Sequence, residues 1–101
     1  SALSSFAEPK LFKEHQSIAI FNATNHPQLA QKAARIITNI GGNVIITANW
    51  DQALNKCQIF GKQSKTLKRL LQIFNCDRID PGKDSRAQIN LFLGEDYYLR
   101  Q

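Results

Sequence analysis

Acidic side chains are nearly missing from the middle of this chain: between His15 and Cys76 the one carboxylate is Asp51. The same span carries Lys32, Arg35, Lys56, Lys62, Lys65, Lys68 and Arg69, whereas residues 77 to 101 hold five acids against four bases. The net charge of +5 is therefore concentrated in the middle, which favours an anionic partner. Paired carboxylates for acid–base catalysis have no place in that span.

Cysteine is also scarce. Cys57 and Cys76 are too few for a disulfide framework and wrongly spaced for a zinc site or a C-x-x-C redox pair. Buried free thiols are the default expectation; a bridge requires the fold to bring the strand holding Cys57 beside the loop after the second helix. His15 and His26 are the only histidines, and neither stands next to a Cys or carboxylate at metal-ligand spacing. No metal, cofactor or catalytic constellation is expected, and the chain reads as a non-enzyme.

No apolar run approaches the roughly 18 residues of a membrane helix. No stretch of the given sequence reads as a signal peptide, and because it does not start with Met the chain is expected to be a piece of something longer, with any anchor or signal cut away. Hydrophobic residues make up 43% of 101 residues, enough for one packed core.

What is present is a regular succession of short elements. Residues 1–14, with Ser, Pro and alternating charges, read as a linker or edge segment, and residues 15–101 as a single domain. Ser17 to Phe21 is a buried strand, broken by Asn22-Ala23-Thr24-Asn25. Asn25 is placed to cap a helix with Pro27 in its first turn, and Leu29, Ala33, Ile36, Ile37 and Ile40 form its apolar stripe. Gly41-Gly42 stops that helix, and Val44 to Ala48 is a second strand, parallel to the first. Cys57 to Gly61 is a third strand, and Ser64 caps a second helix buried through Leu67, Leu70, Leu71 and Phe74. Asn75 to Arg86 is a long loop with an Asp-Pro-Gly turn at 80–82, and Ala87 to Leu93 is the last strand. The order β-α-β-β-α-β predicts an α+β fold, a small mixed sheet with two helices on one face, of ferredoxin-like sandwich type.

Two segments are candidate ligand-binding sites. The loop holding Asn22, Thr24 and Asn25 lies between a strand and a helix N-terminus, where backbone N–H groups favour an anion. It lacks the glycines of a phosphate loop, and its polar side chains are equally suited to bonding the loop's own backbone. The second helix presents Lys62, Lys65, Lys68 and Arg69 with no nearby acid, a face suited to phosphate or carboxylate. His26 has no carboxylate within local reach to orient it, Asp96 reads as a turn residue, and Tyr97 and Tyr98 as packing or stacking surfaces. The third strand lacks the paired aromatics of an RNA-recognition sheet.

Several of these segments carry a family resemblance: Ile18-Ala19-Ile20-Phe21-Asn22-Ala23-Thr24, Leu29-Ala30 with Ala33-Ala34, Gly41-Gly42, and Leu93-Gly94-Glu95-Asp96-Tyr97. Together, over about residues 16 to 98, they resemble the LytR/CpsA/Psr C-terminal domain. That family shows Asn-Gly-Thr or Asn-Gly-Ser after the first strand, Gly-Leu-Ala opening the helix, and a closing Leu-Gly-x-Asp-Tyr. Ala23 and Gln28 stand where the family has glycine. The resemblance implies a non-catalytic extracytoplasmic module of the bacterial cell envelope. Such a module is accessory to a membrane-anchored protein, and its partner is an anionic cell-wall polymer or glycan, or an envelope protein. It implies no DNA binding. A cytoplasmic nucleic-acid-binding α/β domain is the alternative that charge and fold class allow.

Overall fold

The computed structural model describes residues 13–80 and 86–100. Residues 1–12 of the expected linker, and Pro81 and Gly82 of the expected turn, lie outside the described residues. The elements are β1 (Ser17–Asn22), α1 (Leu29–Asn39), β2 (Asn43–Asn49), β3 (Gln58–Gly61), α2 (Lys65–Phe74), β4 (Asp77–Arg78), β5 (Ile89–Leu93) and α3 (Glu95–Leu99). They form the expected mixed α+β arrangement, with a five-stranded sheet in the order β2-β1-β5-β3-β4. β1 pairs in parallel with β2 on one side and β5 on the other, β5 pairs antiparallel with β3, and β3 pairs in parallel with β4.

β1 is buried on both faces, which is why its sequence is a continuous apolar run rather than an alternation. On one face Ile18, Ile20, Ile59, Ile89, Leu91 and Leu93 pack against Leu29, Ala33 and Ile37 of α1 and Leu67, Leu70 and Phe74 of α2. Each of the Ile, Leu and Phe side chains among them contributes about 1.5–3 kcal/mol by leaving water. On the other face Ala19, Phe21, Phe60 and Phe92 form a second cluster. Phe92 stacks on Phe21 at 4.9 Å and on Phe60 at 5.8 Å, and Trp50 meets both Phe21 and Phe92 edge-on. The sheet thus carries an aromatic row that the third strand alone did not reveal, in which Phe21, Phe60 and Phe92 are buried and Trp50 is partly exposed at its rim.

Several local expectations are corrected. Asn25 does not cap α1: Gln28 does, in the left-handed region at φ 65°, with no side-chain cap bond. The reason is that Thr24 and Asn22 hold the preceding loop in its own turn, so the helix starts later. Ile36 lies outside the buried stripe and is 42% exposed, because α1 buries Leu29, Ala30, Ala33 and Ile37 instead. The segment Asn75 to Arg86 is not all loop: Asp77 and Arg78 add a strand beside β3. Asn75, at φ 51°, supplies the left-handed cap that turns the chain out of α2 and into it. The cysteines are not free thiols, since that same turn sets Cys76 beside Cys57 and a disulfide joins them. Gly41, at φ 104°, ends the first helix as expected, and Ser64 caps α2 by accepting the Leu67 N–H at 3.0 Å.

Candidate functional site

The loop after β1 is occupied with itself. Asn22 Oδ1 accepts the Thr24 N–H at 3.1 Å and its hydroxyl at 2.6 Å. Thr24 Oγ1 accepts the His26 N–H at 3.1 Å, and Asn22 Nδ2 donates to the His26 carbonyl at 2.6 Å. These bonds are an Asx-type network that fixes the turn. His26 is not left without an acid: Glu95, 69 residues away, places its carboxylate 2.9 Å from Nε2. Tyr98 stacks flat on the imidazole, with ring centroids 3.3 Å apart.

Asp96 does more than turn the chain. Its Oδ1 accepts the N–H groups of Tyr97 and of buried Cys57, while Oδ2 meets Arg100 at 3.4 Å. Arg100 Nη2 in turn donates to the Phe74 carbonyl at 2.6 Å, and Tyr97 packs on the Phe74 ring. Gly94 is required for this docking, because a Cβ there would stand 2.5 Å from the Lys56 carbonyl carbon. The segment Leu93 to Tyr97 therefore locks α3 onto the disulfide-bearing segment.

At the start of α2 the expected basic face does have an acid beside it. The Glu14 carboxylate accepts the N–H of Lys65 at 3.1 Å, the N–H of Thr66 at 2.7 Å and the Thr66 hydroxyl. It occupies the position where a helix N-terminus attracts an anion. The Thr66 hydroxyl bond holds its pKa below the ordinary carboxylate value, partly opposed by burial and helped by the Thr66 and Lys65 N–H groups and the Lys65 charge. Lys62, Lys65 and Lys68 are exposed and Arg69 is half-buried.

These candidates do not converge. Ser64 donates to Gln16 at 2.5 Å, so α2 begins at the first end of β1, while Asn22, Thr24 and Asn25 lie at its other end. Six residues of strand put roughly 20 Å between them.

The structure instead gathers Lys62 with two arginines that the sequence reading missed. Lys62 follows β3, Arg78 is in β4 and Arg86 precedes β5; adjacent strands bring them around one open cleft of about 750 Å3. Gln16, Gln63 and Gln88 also line it, and no acidic side chain does so among the described residues. Each glutamine spends its carbonyl oxygen inside the protein: Gln16 on Ser64, Gln63 on Arg78 at 2.5 Å, Gln88 on the Ser17 N–H at 2.9 Å. Their amide nitrogens remain as donors, so the cleft presents three cations and three neutral donors. That donor-rich lining suits phosphate, carboxylate or sugar oxygens. Arg86 also lies over the Phe21 ring, 5.7 Å from its centroid, which ties it to the aromatic cluster. No local signal marks Arg78 and Arg86, because they sit in the charge-balanced tail and only strand pairing adds them to Lys62.

A second groove, of about 770 Å3, runs between α1 and the end of α2, with Lys32, Arg35 and Arg100 around Ile36, Ile73 and Tyr97. Among the described residues no cluster of His, Cys, Asp and Glu could hold a metal ion, and no helix is long and apolar enough to cross a membrane.

Comparison with known proteins gives two matches. The fold is similar to that of the soluble domain of a conserved hypothetical secreted protein from Mycobacterium marinum, with a TM-score of 0.70 and 18% identity over 94% of this chain and 68% of that one. A search of curated proteins finds no match. The family profile described as LytR cell envelope-related transcriptional attenuator matches residues 16–97, which take in every strand, the long helices α1 and α2 and the Leu93 to Tyr97 lock. With that match over most of its length, the chain belongs to the LytR_C family of cell-envelope domains.

Proposed function

We propose that this domain is a non-catalytic, extracytoplasmic cell-envelope module, accessory to a membrane-anchored protein, that binds an anionic wall polymer or glycan through the Lys62–Arg78–Arg86 cleft. The observation that carries the reading is the lining of that cleft: three cations and three glutamines with no carboxylate among the described residues. Lys65, Lys68 and Arg69 on α2, which begins three residues after Lys62, extend the positive field along a chain-like ligand. The Cys57–Cys76 disulfide supports an oxidising compartment. The family description and the secreted relative from Mycobacterium marinum support the envelope.

A non-catalytic role is supported by how the reactive side chains are used. His26 Nε2 is engaged by Glu95, and the Thr24 hydroxyl is engaged by Asn22. In this reading Asn22, Thr24 and Asn25 shape the loop, and the ligand contacts lie at the far end of β1.

The test is retention of the purified domain on isolated bacterial cell walls, with and without their anionic polymer stripped. Retention lost on stripping supports the reading. Equal retention on stripped walls points to a protein partner, and retention on single-stranded oligonucleotides in preference to walls would replace it with nucleic-acid binding.

A further inference from the structure

The sheet order leaves β2 and β4 as its edges, and they differ in kind. β4 has two residues, whereas β2 has seven, Asn43–Asn49. Trp50 donates its N–H to the Asn22 carbonyl of β1. In a parallel ladder alternate residues bond the same neighbour, so Ala48 and Ile46 also face β1, and Thr47 and Asn49 turn both N–H and C=O outward. Neither residue makes any further hydrogen bond among the described residues.

Long exposed edges are ordinarily blunted by charge, proline or a bulge. β2 contains no charged residue and no proline. It does have an irregularity, where register shifts between Ile18 and Ala19 so that Ile45 is skipped, but Ile46 to Asn49 then pair with Ala19 to Asn22 without interruption. Ile45 is 51% exposed in the middle of this strand.

The flank of α1 beside this edge is also uncharged, and the nearest charge in sequence is the exposed Asp51 beyond its end. Lys32, Arg35, Ile36 and Asn39 line the groove toward α2. Helical spacing then puts Gln31, Ala34 and Thr38 on the other flank of α1, toward β2. Net charge of +5 disfavours approach of two copies through their basic faces, and this neutral edge is where they can meet.

We infer that β2 is a homodimerisation edge: a second copy pairs antiparallel with it across a twofold axis, continuing the sheet from five strands to ten. A twofold axis pairs the strand with itself, so each outward N–H of one copy meets an outward C=O of the other and no charge needs a complement.

The test is the molar mass of the full chain by sedimentation equilibrium from micromolar to millimolar concentration, together with Thr47→Pro and Ile45→Lys. Thr47→Pro removes an outward N–H that the β1 ladder does not use, and Ile45→Lys places charge on the edge. The expected result is a rise toward twice the monomer mass, weakened about tenfold or more in each variant that retains the native circular dichroism. Amide exchange at Thr47 and Asn49 in the unaltered protein is expected to slow on concentration while that of solvent-facing loop amides does not. A mass that stays monomeric at all concentrations, a dimer that the folded variants leave intact, or exchange at Thr47 and Asn49 that ignores concentration would each overturn the inference.

Discussion

Asp96 and Cys57, 39 residues apart, are joined by a 2.9 Å hydrogen bond from the buried Cys57 N–H to the Asp96 carboxylate. The same carboxylate holds the Tyr97 N–H and faces Arg100, whose other nitrogen reaches the carbonyl of Phe74. One acidic side chain thus ties α3, the entry to β3 and the end of α2 together. Asp96→Ala strands the buried Cys57 N–H and is expected to cost about 1.5–3 kcal/mol, as for a hydrogen bond to a charged group. Urea unfolding of the two proteins measures it; Asp96→Asn, which keeps an acceptor, is expected to lose less.

The disulfide closes a loop of 19 residues between the start of β3 and the start of β4. Replacing Cys57 and Cys76 together with Ser is expected to cost about 3 kcal/mol, mainly by freeing the unfolded chain. The readout is the urea midpoint of the double variant against the oxidised protein. Reductant is expected to lower the midpoint of the oxidised protein and leave that of the variant unchanged.

Gln28 sits at φ 65°, a conformation that disfavours any side chain. Gln28→Gly is expected to raise stability by roughly 0.5–1 kcal/mol, the relief of backbone strain exceeding the extra freedom of the unfolded chain. Ala23, the other departure from the family motif, is not in the left-handed region and is buried. Ala23→Gly is therefore expected to lower the melting temperature where Gln28→Gly raises it.

Glu14 has a folded-state pKa below its ordinary value, chiefly through the Thr66 hydroxyl bond. A depressed carboxylate stabilises the fold fully at pH above its unfolded value, and that contribution disappears as pH falls through the lowered folded value. The melting temperature of Glu14→Gln is thus expected to lie below that of the unaltered protein at neutral pH and to converge with it in acid. Thermal unfolding across that range measures the difference, and a gap that widened in acid would contradict the assignment.

How much of this was legible in the sequence depends on how far apart the partners lie. β1, β2, both long helices and the Ser64 cap follow from periodicity and local chemistry within a dozen residues. β4 was hidden because two residues, Asp77 and Arg78, carry no period. The Cys57–Cys76 bridge, the Glu95 partner of His26 and the Glu14 cap on α2 each depend on tertiary contacts spanning 19 to 69 residues, which composition does not encode. Lys62 was visible in a basic run, whereas Arg78 and Arg86 were masked by acids next to them in sequence and become part of the cleft only through the β5-β3-β4 pairing. The closing Leu93 to Tyr97 segment was recognisable as a motif, and its reason lies in the Lys56–Cys57 backbone that presses on Gly94 and bonds Asp96.

The most direct measurement of the central claim is the affinity of the domain for purified anionic wall polymer across a salt series, beside a variant carrying Lys62→Glu, Arg78→Glu and Arg86→Glu. Binding is expected to weaken steeply with salt, and the variant to lose about tenfold or more in affinity with a shallower salt dependence, because fewer cations engage the polymer. Binding that is indifferent to salt, or a folded variant that binds as well as the unaltered protein, would contradict it.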